Sequence, residues 1–129
     1  EQLIILIMND NNQTSTQLLS YRNAYYHGQT KNGQRHGYGL LILDSGVILV
    51  ARWKNDVLHG RAAAFINALE YGLLEFNQGE LDGYCAFKSP EDTLVVQFNN
   101  GRPIDKQILV KYTEKIIKIL TFRSIPLDI

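Results

Sequence analysis

The sequence predicts an all-β chain: an elongated single-layer antiparallel β-meander of short hairpins, with a short strand/helix cap at the C-terminus. Three observations carry that prediction. Turn dipeptides recur with a period of 22 or 23 residues. Runs rich in β-branched and aromatic residues lie between them, and a second local reversal separates successive pairs of runs.

The repeat is read in columns. Gly33, Asp56, Gly79 and Gly101 stand 23, 23 and 22 residues apart, each preceded by an amide side chain: Asn32, Asn55, Gln78 and Asn100. These are turn dipeptides, because Gly, Asn and Asp tolerate the positive φ needed where a hairpin reverses. Three residues ahead of each Gly/Asp position runs another column: Thr30, Trp53, Phe76 and Phe98. A second glycine column follows at Gly37, Gly60 and Gly83, the first two preceded by His36 and His59 and the third by Asp82. It ends at Asp105, where the array decays. Two residues beyond each of these glycines lies a small side chain, Gly39, Ala62 and Cys85, which leaves room for a large one. Trp53, Phe76 and Phe98 are the natural fillers.

The segments between turns read as strands, with Gly46–Trp53 and Leu94–Phe98 the clearest. The reversals between units are Asp44-Ser45-Gly46, Asn67-Ala68-Leu69 and Ser89-Pro90-Glu91-Asp92. No single unit buries its own apolar face, so neighbours stack side by side into one sheet. This divides the chain into an N-terminal extension (1–20), a repeat array (21–105) and a C-terminal cap (106–129). Within the extension, Leu3–Met8 is a candidate extra strand and the polar run Asp10–Gln17 a loop or linker. The cap reads as a strand through Ile108, Leu109, Val110 and Tyr112, then a short helix over Thr113–Leu120, placed to cover the open sheet edge.

The run Tyr26-His27-Gly28-Gln29-Thr30-Lys31-Asn32-Gly33-Gln34-Arg35-His36-Gly37-Tyr38-Gly39 resembles the MORN repeat, Y-x-G-x-[FW]-x-x-G-x-x-x-G-x-G. It departs from the pattern only at Thr30, where the family has an aromatic. The second unit keeps Trp53 and His59-Gly60, but has Leu49, Ala51, Asp56 and Ala62 at the other signature positions. The third keeps Phe76, Gly79 and Gly83, and the fourth Phe98 and Gly101. The resemblance spans roughly residues 21–105 and three to four units. It implies a non-catalytic module, found in ciliary and other cytoskeletal complexes, at membrane–cytoskeleton junctions and as targeting segments of larger enzymes.

Composition narrows the function classes. Lys plus Arg and Asp plus Glu number 13 each, so the formal net charge is zero. A nucleic-acid binder draws its affinity from a cationic excess that is missing here. The six-residue apolar run Leu3–Met8 falls far short of the ~20 residues of a membrane-spanning helix. It also lacks the basic leader and cleavage site of a signal peptide. The single cysteine excludes an internal disulfide.

Several constellations invite a chemical reading, and each has a plainer one. His36, His59 and Asp82 share a register and are a conceivable metal column, but polar turn residues are ordinary at that position. His27 is out of register and reads as a surface residue. The acid pairs Glu70/Glu75, Glu80/Asp82 and Glu91/Asp92 lie in or beside turns, where solvated carboxylates are routine. Gly33, Gly37 and Gly39 precede no helix and form no phosphate loop. Cys85 reads as a buried spacer. No enzymatic role, metal or cofactor is expected. Tyr26, Trp53, Phe76 and Phe98 are either the packed core of the sheet or part of an interaction face. Gly33, Gly37, Asp56, Gly60, Gly79, Gly83 and Gly101 are repeat-turn positions. Lys31, Arg35, Arg52, Lys54 and Arg61 are solvated strand ends or a patch for anionic lipid or acidic protein.

The expected function is a scaffold or assembly subunit that holds other proteins, inside the cell, in a cytoskeletal complex such as that of the cilium. The alternative is a membrane-targeting module for anionic lipid.

Overall fold

A computed structural model describes residues 14–111 and 113–120. The candidate strand Leu3–Met8 lies outside the described residues. The rest is one open antiparallel sheet of 11 strands. These are β1 (Ser15–Ser20), β2 (Ala24–Lys31), β3 (Gln34–Leu43), β4 (Ile48–Lys54), β5 (Val57–Leu58), β6 (Gly60–Phe65), β7 (Tyr71–Asn77), β8 (Glu80–Leu81), β9 (Gly83–Lys88), β10 (Thr93–Asn99) and β11 (Arg102–Pro103). Pairing follows chain order from β1 to β11, with β5 on β4 and β8 on β7 beside the main path. Two helices follow, α1 (Lys106–Lys111) and α2 (Thr113–Leu120).

The turn dipeptides do what their chemistry requires. Both central residues take positive φ at Asn32/Gly33 (53° and 75°), Asn55/Asp56 (50° and 69°), Gln78/Gly79 (51° and 84°) and Asn100/Gly101 (49° and 83°). That is the type I′ geometry whose twist matches the flanking strands. A second periodic element joins one unit to the next. The N–H of Asp56 donates to the carbonyl of Arg35 (2.8 Å), that of Gly79 to Leu58 (2.8 Å), and that of Gly101 to Leu81 (2.7 Å). Each of these three hairpin tips is therefore bonded to the returning segment of the unit before it. This nearest-neighbour coupling is what a repeat architecture needs.

The inner face holds the core, including Tyr26, Leu49, Trp53, Ala64, Leu74, Phe76, Phe87, Val96 and Phe98. Helix α2 lies against this face and buries Ile116 and Ile119. A Cβ at Gly72 would stand 2.8 Å from Ile119 Cγ2, so the absent side chain sets the approach of helix to sheet.

Four details depart from the sequence reading. The run Asp10–Gln17 was expected to be a loop, yet Ser15–Gln17 belong to β1, paired with Thr30, Gln29 and Gly28. The residues here are polar, but the β2 edge offers a full row of backbone partners. Ile108 to Val110 lie in helix α1 rather than a strand. Asp105 Oδ1 accepts the Gln107 N–H at 3.0 Å as an N-cap, while Pro103 has no N–H with which to extend the ladder. Helix α2 contacts β6 and β9 on the face of the sheet instead of running along its edge. Finally, the space over Gly39 is filled by the Tyr26 ring, which a Cβ there would strike, rather than by one of the column aromatics.

Candidate interaction face

The four aromatics singled out in the sequence, Tyr26, Trp53, Phe76 and Phe98, are all buried on the inner face, none more than 4% exposed. Tyr26 and Trp53 meet edge to face, with centroids 5.0 Å apart at 84°. The Tyr26 hydroxyl donates to the Gln29 carbonyl at 2.6 Å, and burial pushes its ionisation well above the ordinary tyrosine range. Burial likewise raises Tyr21, whose hydroxyl has no hydrogen-bond partner among the described residues. Cys85 is a buried free thiol whose ionisation is pushed up, chiefly by desolvation, and so it is a poor nucleophile. The turn positions Gly33, Gly37, Asp56, Gly60, Gly79, Gly83 and Gly101 all carry positive φ.

Arg35 is a basic residue that leaves the proposed patch. Its side chain is 7% exposed, and its Nε donates to Asp56 Oδ1 at 2.7 Å. Its Nη2 donates to the Asp56 carbonyl at 3.1 Å. The guanidinium stacks over Tyr21 and Trp53, 5.4 and 5.5 Å from the ring centroids. Arg35 thus occupies the column held by Leu58 and Leu81 in the next two units, and a buried arginine needs a partner. Asp56, at a position where the next two units carry Gly79 and Gly101, supplies the carboxylate.

Among the described residues no element covers the opposite face of the sheet. Register places Leu40, Val50, Ala63, Leu73, Ala86 and Val95 in one row across six strands. Ile42, Ile48, Phe65 and Tyr71 flank it on one side. Tyr38 and Arg52, Arg61 and Glu75, Tyr84 and Gln97 flank it on the other. Leu73, Tyr84 and Val95 are 43%, 67% and 54% exposed. With strands ~4.8 Å apart and alternate residues ~6.8 Å apart, the two apolar rows cover roughly 400 Å², within the range of the largest apolar patch on a soluble domain. Its exposed charges are mostly cationic: Arg52, Lys54 and Arg61, with Glu75 opposite Arg61. The sequence implies that a single-layer sheet has a second face which its own aromatics do not cover, but the aromatic column does not name the residues of that face. The signal was present in strands such as Ile48-Leu49-Val50 and Leu94-Val95-Val96, apolar at both parities where a strand with one solvated face alternates.

At the hairpin-tip end of this face a cavity of about 250 Å³ is lined by Thr14, Gln29, His36, Gly37, Tyr38, Arg52, Trp53, Lys54 and His59. The two in-register histidines therefore share one cavity. Asp82 does not join them; its carboxylate accepts the Asn100 N–H at 3.3 Å. Among the described residues no group of three or more His, Cys, Asp or Glu is placed to hold a metal ion.

Compared with known proteins, residues 26–47 match the sequence model of the MORN repeat, a non-enzymatic module generally associated with protein or membrane interaction. A search of curated proteins finds no match. Among the described residues no helix is long and apolar enough to cross a membrane.

Proposed function

We propose, from the premise that this is a MORN-repeat chain, that it serves as a non-catalytic scaffold subunit. Its open outer face is the surface on which a protein partner docks. The observation that carries this reading is the apolar row from Leu40 to Val95, left uncovered on a sheet whose other face is filled by its own aromatics and by α2. The partner suited to it has an apolar stripe bordered by anionic groups, which would meet Arg52, Lys54 and Arg61. Cytoskeletal assemblies, the cilium among them, are the setting that the family resemblance favours. Membrane targeting is the competing reading, and it draws on the same exposed cations.

Leu73→Lys combined with Val95→Lys separates the two. Both side chains point to solvent, so the variant folds. A stoichiometric protein partner retained by the natural chain at high salt and lost by the variant supports the scaffold. Binding to vesicles with anionic lipid that collapses with salt, and that added lysines strengthen, sinks it and favours the membrane.

A further inference from the structure

We infer that the cavity at the hairpin-tip end is an anion site, and that it receives a phosphorylated serine or threonine of the protein docked on the outer face. The inference rests on the docking reading above and names what the partner carries.

The cavity brings together Arg52, Lys54, His36 and His59, with no carboxylate among the described residues of its lining. Three of its features are preset by the fold. Arg52 stacks over the Tyr38 ring at 5.6 Å, and its stem lies against Gly60, where a Cβ would stand 3.8 Å from Arg52 Cδ. The imidazole of His36 is oriented by the Asn55 N–H, which donates to Nδ1 at 3.1 Å. In that tautomer Nε2 carries the proton and is a donor. Tyr38 is in turn held by its N–H, which donates to Oε1 of the buried Gln29 at 2.8 Å. The neighbouring carboxylate, Asp56, is engaged by Arg35.

Charge selects the ligand class. Arg52 and Lys54 supply two positive charges, and a phosphomonoester carries about −1.5 to −2 at neutral pH. Guanidinium and imidazole N–H groups are suited to its oxygens. Position selects the source. Tyr38 and Arg52 belong both to the cavity lining and to the flank of the apolar row, so a chain lying on that face passes the mouth of the cavity. The adjacent hairpin tips, Asn32-Gly33 and Asn55-Asp56, are polar and include an acid, which makes them poor at entering a bilayer.

The test is an NMR titration of the full chain, labelled with nitrogen-15, at constant pH. The probes are a short leucine-flanked peptide bearing one phosphoserine, its unphosphorylated twin, inorganic phosphate, and phosphatidylcholine vesicles containing a phosphoinositide. The phosphopeptide is expected to shift the amide signals of Tyr38, Asn55 and His59 saturably. Its affinity should exceed that of the serine peptide by at least ~10-fold, and Arg52→Gln with Lys54→Gln should abolish that margin while the spectrum stays dispersed. The inference is overturned by equal binding of the two peptides, by a variant that binds as well as the natural chain, or by shifts that only the vesicles produce. Leu73→Lys with Val95→Lys leaves the cavity whole, so inorganic phosphate must still shift the same signals there. Phosphate shifts in a natural chain that captures no partner would sink the docking reading alone. Partner capture without any phosphate shift would sink the cavity alone.

Discussion

Replacing Asp56 with glycine should destabilise the chain, even though it installs the residue that the same turn position carries in the next two units. Two effects oppose each other. Asp56 sits at φ 69°, and glycine there relieves about 1 kcal/mol of left-handed strain. The substitution also strips the carboxylate from Arg35, whose side chain is 7% exposed and cannot reach water without unstacking from Trp53. Breaking a fully buried pair costs about 3–5 kcal/mol, and the 27% exposure of Asp56 brings that down to about 3. The ion pair wins, leaving Asp56→Gly about 2 kcal/mol less stable, which corresponds to a fall in Tm of roughly 10 °C for a domain of this size. Arg35→Leu with Asp56→Gly gives the first interface the chemistry of the next two, Leu58 under Gly79 and Leu81 under Gly101, whose backbone bond is already in place. The double variant should lie within about 1 kcal/mol of the natural chain, so the double-mutant cycle should return a coupling of at least about 1 kcal/mol. Urea unfolding followed by the fluorescence of the single, buried Trp53 reads all four proteins. A stabilised Asp56→Gly, or a coupling below about 0.5 kcal/mol, would refute the reasoning.

Tyr21→Phe should leave stability unchanged or raise it by up to about 1 kcal/mol, because the lost hydroxyl is buried with no partner among the described residues; Tyr26→Phe should cost about 1–2 kcal/mol, because its hydroxyl bonds the Gln29 carbonyl. The urea midpoints of the two variants give the comparison, and a larger loss for Tyr21→Phe contradicts it. Stability should also fall in alkali. Cys85, Tyr21 and Tyr26 all hold their protons more tightly in the folded chain, so their contribution is complete below the unfolded values of 9.0 and 10.0 and is lost as pH rises beyond them. A urea midpoint that stays flat or rises from pH 9 to pH 11, or a Tyr26→Phe chain with the same slope as the natural one, would count against this.

The hairpins were legible in the sequence because positive φ at two successive positions admits few residue types, and Asn-Gly is the foremost pair. The strands were legible because their β-branched runs are bounded by those turns. The C-terminal helix α1 was read as a strand because Ile108, Leu109 and Val110 favour that conformation. The capping Asp105 and the donor-less Pro103 outweighed them locally. Strand β1 was hidden by its polar composition, since an edge strand with little to bury needs no alternation. The Arg35–Asp56 pair left a trace that residue-by-residue reading missed. In the column Arg35, Leu58, Leu81 the first member alone is charged, and in the column Gly33, Asp56, Gly79, Gly101 the second member alone is not glycine. Two departures from the repeat, in positions that adjacent units bring together, are the mark of compensation.

The same arithmetic bears on which parts of the array are interchangeable. Three consecutive hairpin tips make the same bond to the unit before them, so each unit-to-unit junction adds one tip bond to its strand ladder and the packing around it. Where the junction needs nothing more, as at Leu58 and Leu81, it is made from aliphatic side chains. At the first junction the chain instead commits an arginine, an aspartate and the stacking face of Trp53, a set predicted to lie within about 1 kcal/mol of a leucine under a glycine. Polar chemistry of that kind persists where geometry matters more than stability. Here it fixes the tip of β4 next to Arg52, Lys54 and His36, the side chains of the cavity. The array therefore divides its labour by position: the repeated outer row offers apolar area on every unit, and the first junction alone holds a set of charged donors in place.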